Sequence, residues 1–86
     1  MQNDSQLEIS PLEAARLRSG LSVQALSHVT GISRSTLQRR LDHPETASLT
    51  EVSAIAEATA THAPDLARAV MAGETYAAEL LVAKAA

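Results

Sequence analysis

Apolar residues recur along this 86-residue chain at spacings of three and four, in short runs separated by polar residues and glycines. This spacing places apolar side chains on one face of a helix, so each run predicts a short amphipathic α-helix. Helices are predicted to begin after Ser10, Ser22, Ser33 and Ser48, and a further helical segment follows Pro64. The predicted fold class is therefore all-α, a compact bundle of five or six short helices.

Serine precedes each of the first four predicted helices, and its hydroxyl can accept a hydrogen bond from an amide in the first helical turn. Glu13 and Glu51 each stand three residues after such a serine and predict capping boxes. Glycine tolerates a positive φ, so helix ends are predicted at Gly20 and Gly31 and a break near Gly73. The fourth helix is expected to run to about residue 61.

The core is predicted to be aliphatic, because the chain has no Phe, Trp or Cys and a single Tyr. The positions expected to face inward are Leu12, Ala15, Leu17, Val23, Leu26, Val29, Leu37, Leu41, Leu49, Val52, Ile55, Ala56, Leu66, Ala69 and Val70.

Composition also excludes several classes of function. Without Cys there are no disulfides and no thiolate metal sites, and no apolar run is long enough to span a membrane. The polar start lacks the features of a signal peptide, so a cytoplasmic location is expected. His28, His43 and His62 lie far apart, and neither a phosphate-binding Gly loop nor a nucleophile motif is present. We therefore expect no enzyme activity, no metal, no cofactor and no small-molecule ligand.

Charge is distributed unevenly. The net charge is −3, but residues 14–43 hold five arginines against Asp42 alone, a local charge of +4. Residues 44–86 hold six acidic residues against Arg68 and Lys84, a local charge of −4. The asymmetry predicts one basic face on an acidic body, which suits a nucleic-acid binder.

Residues 21–43 (LSVQALSHVTGISRSTLQRRLDH) contain two predicted helices on either side of Gly31. In both, an apolar residue precedes the N-cap serine and can pack against a leucine at the fourth helical position, Leu26 in the first helix and Leu37 in the second. Two capped helices around a tight glycine turn predict a helix-turn-helix, with the second helix rich in arginine.

This motif resembles the helix-turn-helix of the lambda-repressor and Cro family of phage and bacterial DNA-binding proteins. The residues that match are Leu26, Gly31, Ile32, Ser33 and Leu37, with Arg34-Ser35-Thr36 opening the second helix and Ser48-Leu49 the next one. The chain departs from the family pattern at Val23, Ser27, Thr30 and Arg40. The resemblance covers roughly residues 10 to 60 and implies a transcriptional regulator, a small phage-type repressor that occupies a double-stranded DNA operator.

The second helix of the motif is predicted to read DNA. At 100° per residue, Leu37 and Leu41 point inward and Arg39 points almost directly away from them. Arginine can pair with guanine and glutamine with adenine in the major groove. The predicted base-reading residues are Arg34, Ser35, Gln38 and Arg39. The predicted phosphate contacts are Ser22, Gln24, Thr36, Arg40 and His43.

Three segments follow from this interpretation: a flexible N-terminus (1–9), a DNA-binding domain (10–62) and a C-terminal helical segment (63–86). The last is expected to complete the core. Its apolar patch around Tyr76, Leu80 and Leu81 exceeds the needs of so small a domain, so we expect a partner interface there. In related repressors a C-terminal helix carries dimer contacts, and the resemblance thus implies a homodimer.

Two other functions fit the same sequence. In an antitoxin-type DNA binder, the C-terminal patch would hold a toxin protein. In a helical adaptor that does not bind DNA, the arginine-rich helix would be a solvated surface.

Overall fold

The computed structural model describes residues 8–78. In this part of the chain the elements are β1 (Glu8–Ile9), α1 (Pro11–Ser19), α2 (Val23–Thr30), α3 (Arg34–Asp42), a 3₁₀ turn (Pro44–Thr46), α4 (Leu49–Ala58), α5 (Ala63–Met71) and β2 (Tyr76–Ala77). The predicted all-α bundle of short helices is confirmed, with α2 and α3 forming the two helices on either side of Gly31.

The predicted serine caps are present. Ser10, Ser22, Ser33 and Ser48 each accept a hydrogen bond from the backbone N–H three residues later. The capping box at the start of α4 is complete, because Glu51 also accepts from the N–H of Ser48.

The capping box predicted at the start of α1 is wrong. The carboxylate of Glu13 instead accepts two hydrogen bonds from the guanidinium of Arg16, one turn later, the shorter of them 2.6 Å. Arg16 also donates to the carbonyl of Leu21. A bidentate, charge-assisted pair is stronger than the bond to a backbone amide that it replaces.

Glycines end the helices as predicted. Gly31 adopts a φ of 79° in the turn between α2 and α3, and Gly73 a φ of 70° after α5. The predicted break near Gly73 is therefore confirmed. Helix α4 ends at Ala58, earlier than predicted, and Ala60 follows it with a φ of 57°.

The core lies where α1, α2, α3, α4 and α5 meet. Its largest fully buried side chains are Leu12, Leu26, Leu37, Leu41 and Ile55. Two predicted core positions are wrong, since Val29 is 61% exposed and Leu49 is 72% exposed. Both lie in a terminal turn, of α2 and of α4, and are not covered by a neighbouring helix of residues 8–78.

A short antiparallel ribbon was not predicted. Glu8 pairs with Ala77 and Ile9 with Tyr76. The prediction that residues 1–9 form a flexible terminus is thus wrong for Glu8 and Ile9, and the predicted helical character of Ala77 is wrong too. Residues 1–7, together with Leu80 and Leu81 of the predicted partner interface, lie outside the described residues.

Among the helices of residues 8–78, none combines the length and hydropathy needed to cross a membrane.

Candidate nucleic-acid interface

Helix α3 packs against α1 and α2 through one side and exposes the other. Leu37 and Leu41 are fully buried, as the helical spacing predicts. The four predicted base-reading residues, Arg34, Ser35, Gln38 and Arg39, are all exposed. We call these four residues the α3 face.

Side-chain hydrogen bonds hold α3 at both ends. At its start, the hydroxyl of Ser27 in α2 donates to the carbonyl of Ile32, which fixes the turn between the two helices. At its end, the buried hydroxyl of Ser10 donates to the carbonyl of Leu41 at 2.5 Å. The α3 face therefore stands on a helix tied to both α1 and α2.

The charges on the α3 face point to solvent. Within residues 8–78, neither Arg34 nor Arg39 lies within salt-bridge distance of a carboxylate. Arg34 is the first residue of α3, and the first turn of that helix contains no acidic residue. Its cationic side chain thus adds to the partial positive charge of the helix N-terminus. Both features favour an anionic partner.

Gln38 is the one base-reading candidate with a side-chain partner on the same helix. Its Nε2 donates to Oδ1 of Asp42, one turn later, at 3.2 Å. A glutamine amide has two N–H donors and an acceptor oxygen. One N–H and the oxygen of Gln38 therefore stay available for the two hydrogen bonds that adenine offers in the major groove.

Arg40, a predicted phosphate contact, is half-buried and bonded to neighbouring side chains. Its Nε donates to Oε1 of Glu51 at 2.8 Å, and its Nη1 donates to the hydroxyl of Thr46 at 3.3 Å. The side chain is 20% exposed. The charge that the sequence assigned to the basic face is therefore neutralised by an acid of α4.

Glu51 is stabilised as a carboxylate. The backbone N–H of Ser48, and then the guanidinium of Arg40, lower the pKa of Glu51 below its ordinary value. Hydrogen bonds to the charged form have this effect on an acid.

The other predicted phosphate contacts differ in how exposed their side chains are. Ser22 and Gln24 are exposed at the start of α2, and Thr36 is half-buried in α3. His43 is exposed just beyond α3, with its Nδ1 3.8 Å from a carboxylate oxygen of Glu45.

Arg34 lies between two shallow grooves. One, of about 600 Å³, separates it from α2 and is lined by Ser22, Gln24, Ala25, Ser27, His28 and Val29. The other, of about 700 Å³, is lined by Val23, Ser35 and Gln38. The sequence pattern placed Val29 in the core and gave His28 no assigned site. Their position beside Arg34 depends on how α2 and α3 pack, for which the residues themselves carry no local signal.

Tyr76, from the predicted partner interface, is half-buried in β2. Its hydroxyl donates to Oε1 of Glu74 at 2.6 Å, and this bond to a nearby anion raises the pKa of Tyr76. Its predicted companions Leu80 and Leu81 are outside residues 8–78, so the predicted interface is described only at this residue.

The described residues also lack the grouping of side chains that a metal site needs. Between residues 8 and 78, no three His, Cys, Asp or Glu side chains are grouped so that they could hold an ion.

No protein-family model matches this chain, and no curated protein or solved structure is significantly similar to it. The resemblance to the lambda-repressor and Cro family therefore rests on the residues of the helix-turn-helix motif.

Proposed function

We propose that this protein is a sequence-specific double-stranded DNA-binding regulator of transcription, a small phage-type repressor that acts in the cytoplasm by occupying its operator. The observation that carries the proposal is the division of α3 into two sides. Leu37 and Leu41 are fully buried on one side, while Ser35, Gln38 and Arg39 stand exposed on the other and Arg34 is exposed in the first turn.

The dimensions of α3 suit the major groove. An α-helix with its side chains is about 10–12 Å across, and the groove is about 12 Å wide. Arg34 and Arg39 are five residues apart, which corresponds to a rise of about 7.5 Å along the helix axis. At 100° per residue their side chains point about 140° apart around that axis, so the two guanidinium groups would reach different parts of the groove.

The charge balance supports selective rather than indiscriminate binding. Of the five arginines in residues 14–43, Arg16 and Arg40 are paired with Glu13 and Glu51. Arg34 and Arg39 lie on the α3 face and Arg18 is exposed in α1, on a chain whose net charge is −3. Non-specific affinity for duplex DNA grows with the number of phosphates neutralised. Such a protein would depend on base contacts for much of its affinity.

Selection of bound sites from a random duplex library tests the proposal. We expect a consensus that contains guanines, and binding to a consensus duplex that weakens as salt increases. A palindromic consensus with half-sites about 34 Å apart would identify a dimer. Absence of salt-sensitive binding at low ionic strength, or recovery of unrelated sequences, would reject the proposed function.

A further inference from the structure

One carboxylate joins the second helix of the motif to α4. Oε1 of Glu51 accepts a hydrogen bond from Nε of Arg40 at 2.8 Å and another from the backbone N–H of Ser48 at 3.0 Å. The hydroxyl of Thr46, in the connecting 3₁₀ turn, accepts a second hydrogen bond from Arg40. The N-terminal cap of α4 therefore also anchors the C-terminal half of α3. We call the Arg40–Glu51 pair the α3–α4 clamp.

We propose that Arg40 is a positioning residue, which sets the orientation of α3 through the α3–α4 clamp and does not hold a DNA phosphate. The inference rests on the proposed function, in which the α3 face reads bases. It replaces the phosphate contact expected of Arg40 from the sequence.

The surroundings of Arg40 support this role. Nε and Nη1 of Arg40 already donate to Glu51 and Thr46, and the side chain is only 20% exposed. A phosphate that bound one of its other N–H groups would come close to the carboxylate of Glu51, and charged groups of like sign repel. Arg34 and Arg39, in contrast, carry no carboxylate partner among residues 8–78 and can bind without this cost.

A clamp at this position controls where the α3 face lies. The carbonyl of Leu41 accepts a hydrogen bond from Ser10, the N-cap of α1, and the adjacent Arg40 donates one to Glu51 of α4. Side chains that read base edges need accurate placement, since bidentate hydrogen bonds depend on geometry. Loss of the clamp should therefore reduce discrimination between sequences more than it reduces general affinity for DNA.

Glu51→Gln separates the two roles by the sign of its effect. If Arg40 held a phosphate, removal of the competing acid would release it and tighten binding to every duplex. With a clamp, the same change weakens the preference for the selected duplex over a random duplex of equal length. A partly exposed ion pair contributes ~0.2–1 kcal/mol, so we expect that ratio to fall by about 1.4- to 5-fold.

Matched variants complete the test. Glu57→Gln removes the same charge from an exposed position of α4 and should leave the ratio unchanged. Arg40→Gln should lower the ratio like Glu51→Gln while the dependence of affinity on salt stays the same. Loss of one phosphate contact would reduce that salt slope by about 1. The double variant Arg40→Gln/Glu51→Gln should prefer the selected duplex over the random duplex at least as strongly as either single variant does.

The outcomes distinguish this inference from the proposed function. Glutamine also serves at the third position of a capping box, so Glu51→Gln should keep the start of α4, which circular dichroism can verify. If the wild-type chain binds DNA but Glu51→Gln binds all duplexes more tightly, the clamp is rejected and the proposed function stands. A reduced salt slope in Arg40→Gln would also overturn the clamp. If the wild-type chain shows no salt-sensitive binding, both proposals fail.

Discussion

The hydroxyl of Ser10 lies 2.5 Å from the carbonyl oxygen of Leu41, 31 residues later in the chain. The same hydroxyl accepts a hydrogen bond from the N–H of Glu13 and thereby caps α1. A single buried side-chain oxygen thus begins one helix and closes the last turn of another. Because α3 carries the proposed DNA-reading surface, the start of α1 contributes to the placement of that surface.

Ser10→Ala should therefore be costly for stability. The substitution removes the cap of α1 and also leaves the carbonyl of Leu41 without its side-chain donor. Loss of an N-cap typically costs ~1 kcal/mol, and an unsatisfied buried polar group costs ~1–3 kcal/mol. We expect urea denaturation to show a loss of about 2–4 kcal/mol, from a total that for a chain of this size is ~4–13 kcal/mol.

Ser22→Ala is the matched control. Ser22 is exposed and its hydroxyl caps α2 through the N–H of Ala25. It lacks a second partner among the described residues, so we expect the loss of a cap alone, ~1 kcal/mol. Equal losses for Ser10→Ala and Ser22→Ala would show that the bond to Leu41 contributes nothing.

Arg39→Ala should relax the sequence preference at one base position. Its guanidinium is exposed on the α3 face, directed away from the buried leucines. Loss of a bidentate contact to guanine costs ~1–3 kcal/mol on the selected duplex. Fluorescence anisotropy with the selected duplex and with its single-base variants measures the change position by position.

Arg68→Ala controls for the loss of a positive charge. Arg68 is exposed on α5 and lies 3.4 Å from Asp65. We expect its replacement to change affinity slightly and equally for all duplexes. If Arg39→Ala behaves in the same way as Arg68→Ala, the assignment of Arg39 to base reading is wrong.

Local signals in the sequence were sufficient to predict most of the bundle. Serines at helix starts, and glycines at Gly31 and Gly73 where φ is positive, are chemical requirements that each residue meets by itself. The four-residue spacing of Leu37 and Leu41 in α3 likewise determines which side of that helix is buried. These features led to the correct helix starts and to the correct exposed side of α3.

The sequence was insufficient where a competing partner decides the outcome. Glu13 was assigned from its position in a helix, but Arg16 supplies a bidentate partner once the chain is folded. The pairing of Arg40 with Glu51 was likewise not predicted. The two-residue strands give no periodic signal, and Ile9 meets Tyr76 only through the fold. Each of these errors involves a contact whose partner cannot be inferred from local spacing.

Ala60→Gly should stabilise the protein. Ala60 adopts a φ of 57° after α4, a left-handed conformation that costs an L-residue ~1–2 kcal/mol. Glycine adopts it without strain but loses more entropy on folding, ~0.5–1 kcal/mol. Since the relief of strain exceeds the entropy loss, we expect a net gain of up to about 1.5 kcal/mol in urea denaturation.

Ala72→Gly provides the comparison for this prediction. Ala72 is also exposed at the end of a helix, but its φ is −79° and its ψ is −7°. Glycine relieves no strain there and should destabilise the protein by ~0.5–1 kcal/mol. A loss of stability in both variants would mean that the left-handed conformation at Ala60 is not strained.

The stability of the fold should depend on the charge of Glu51 at acid pH. The pKa of Glu51 is lowered in the folded state, first by the N–H of Ser48 and then by Arg40. A group with a lowered folded pKa stabilises the protein above its unfolded pKa, and this stabilisation is lost as pH falls through the folded pKa. The ordinary value for this carboxyl is 4.5, so the loss should occur below about pH 4.5.

Glu51→Gln removes this titration and should flatten the acid side of the stability profile. Urea denaturation between about pH 7 and about pH 3 measures it, with Glu57→Gln as a control that removes a carboxylate outside the α3–α4 clamp. We expect the difference in stability between the wild-type chain and Glu51→Gln to be largest at neutral pH and to shrink as the acid is protonated. A difference that stays constant across this range would show that Glu51 acts through its shape and not through its charge, and the clamp would then lack its electrostatic basis.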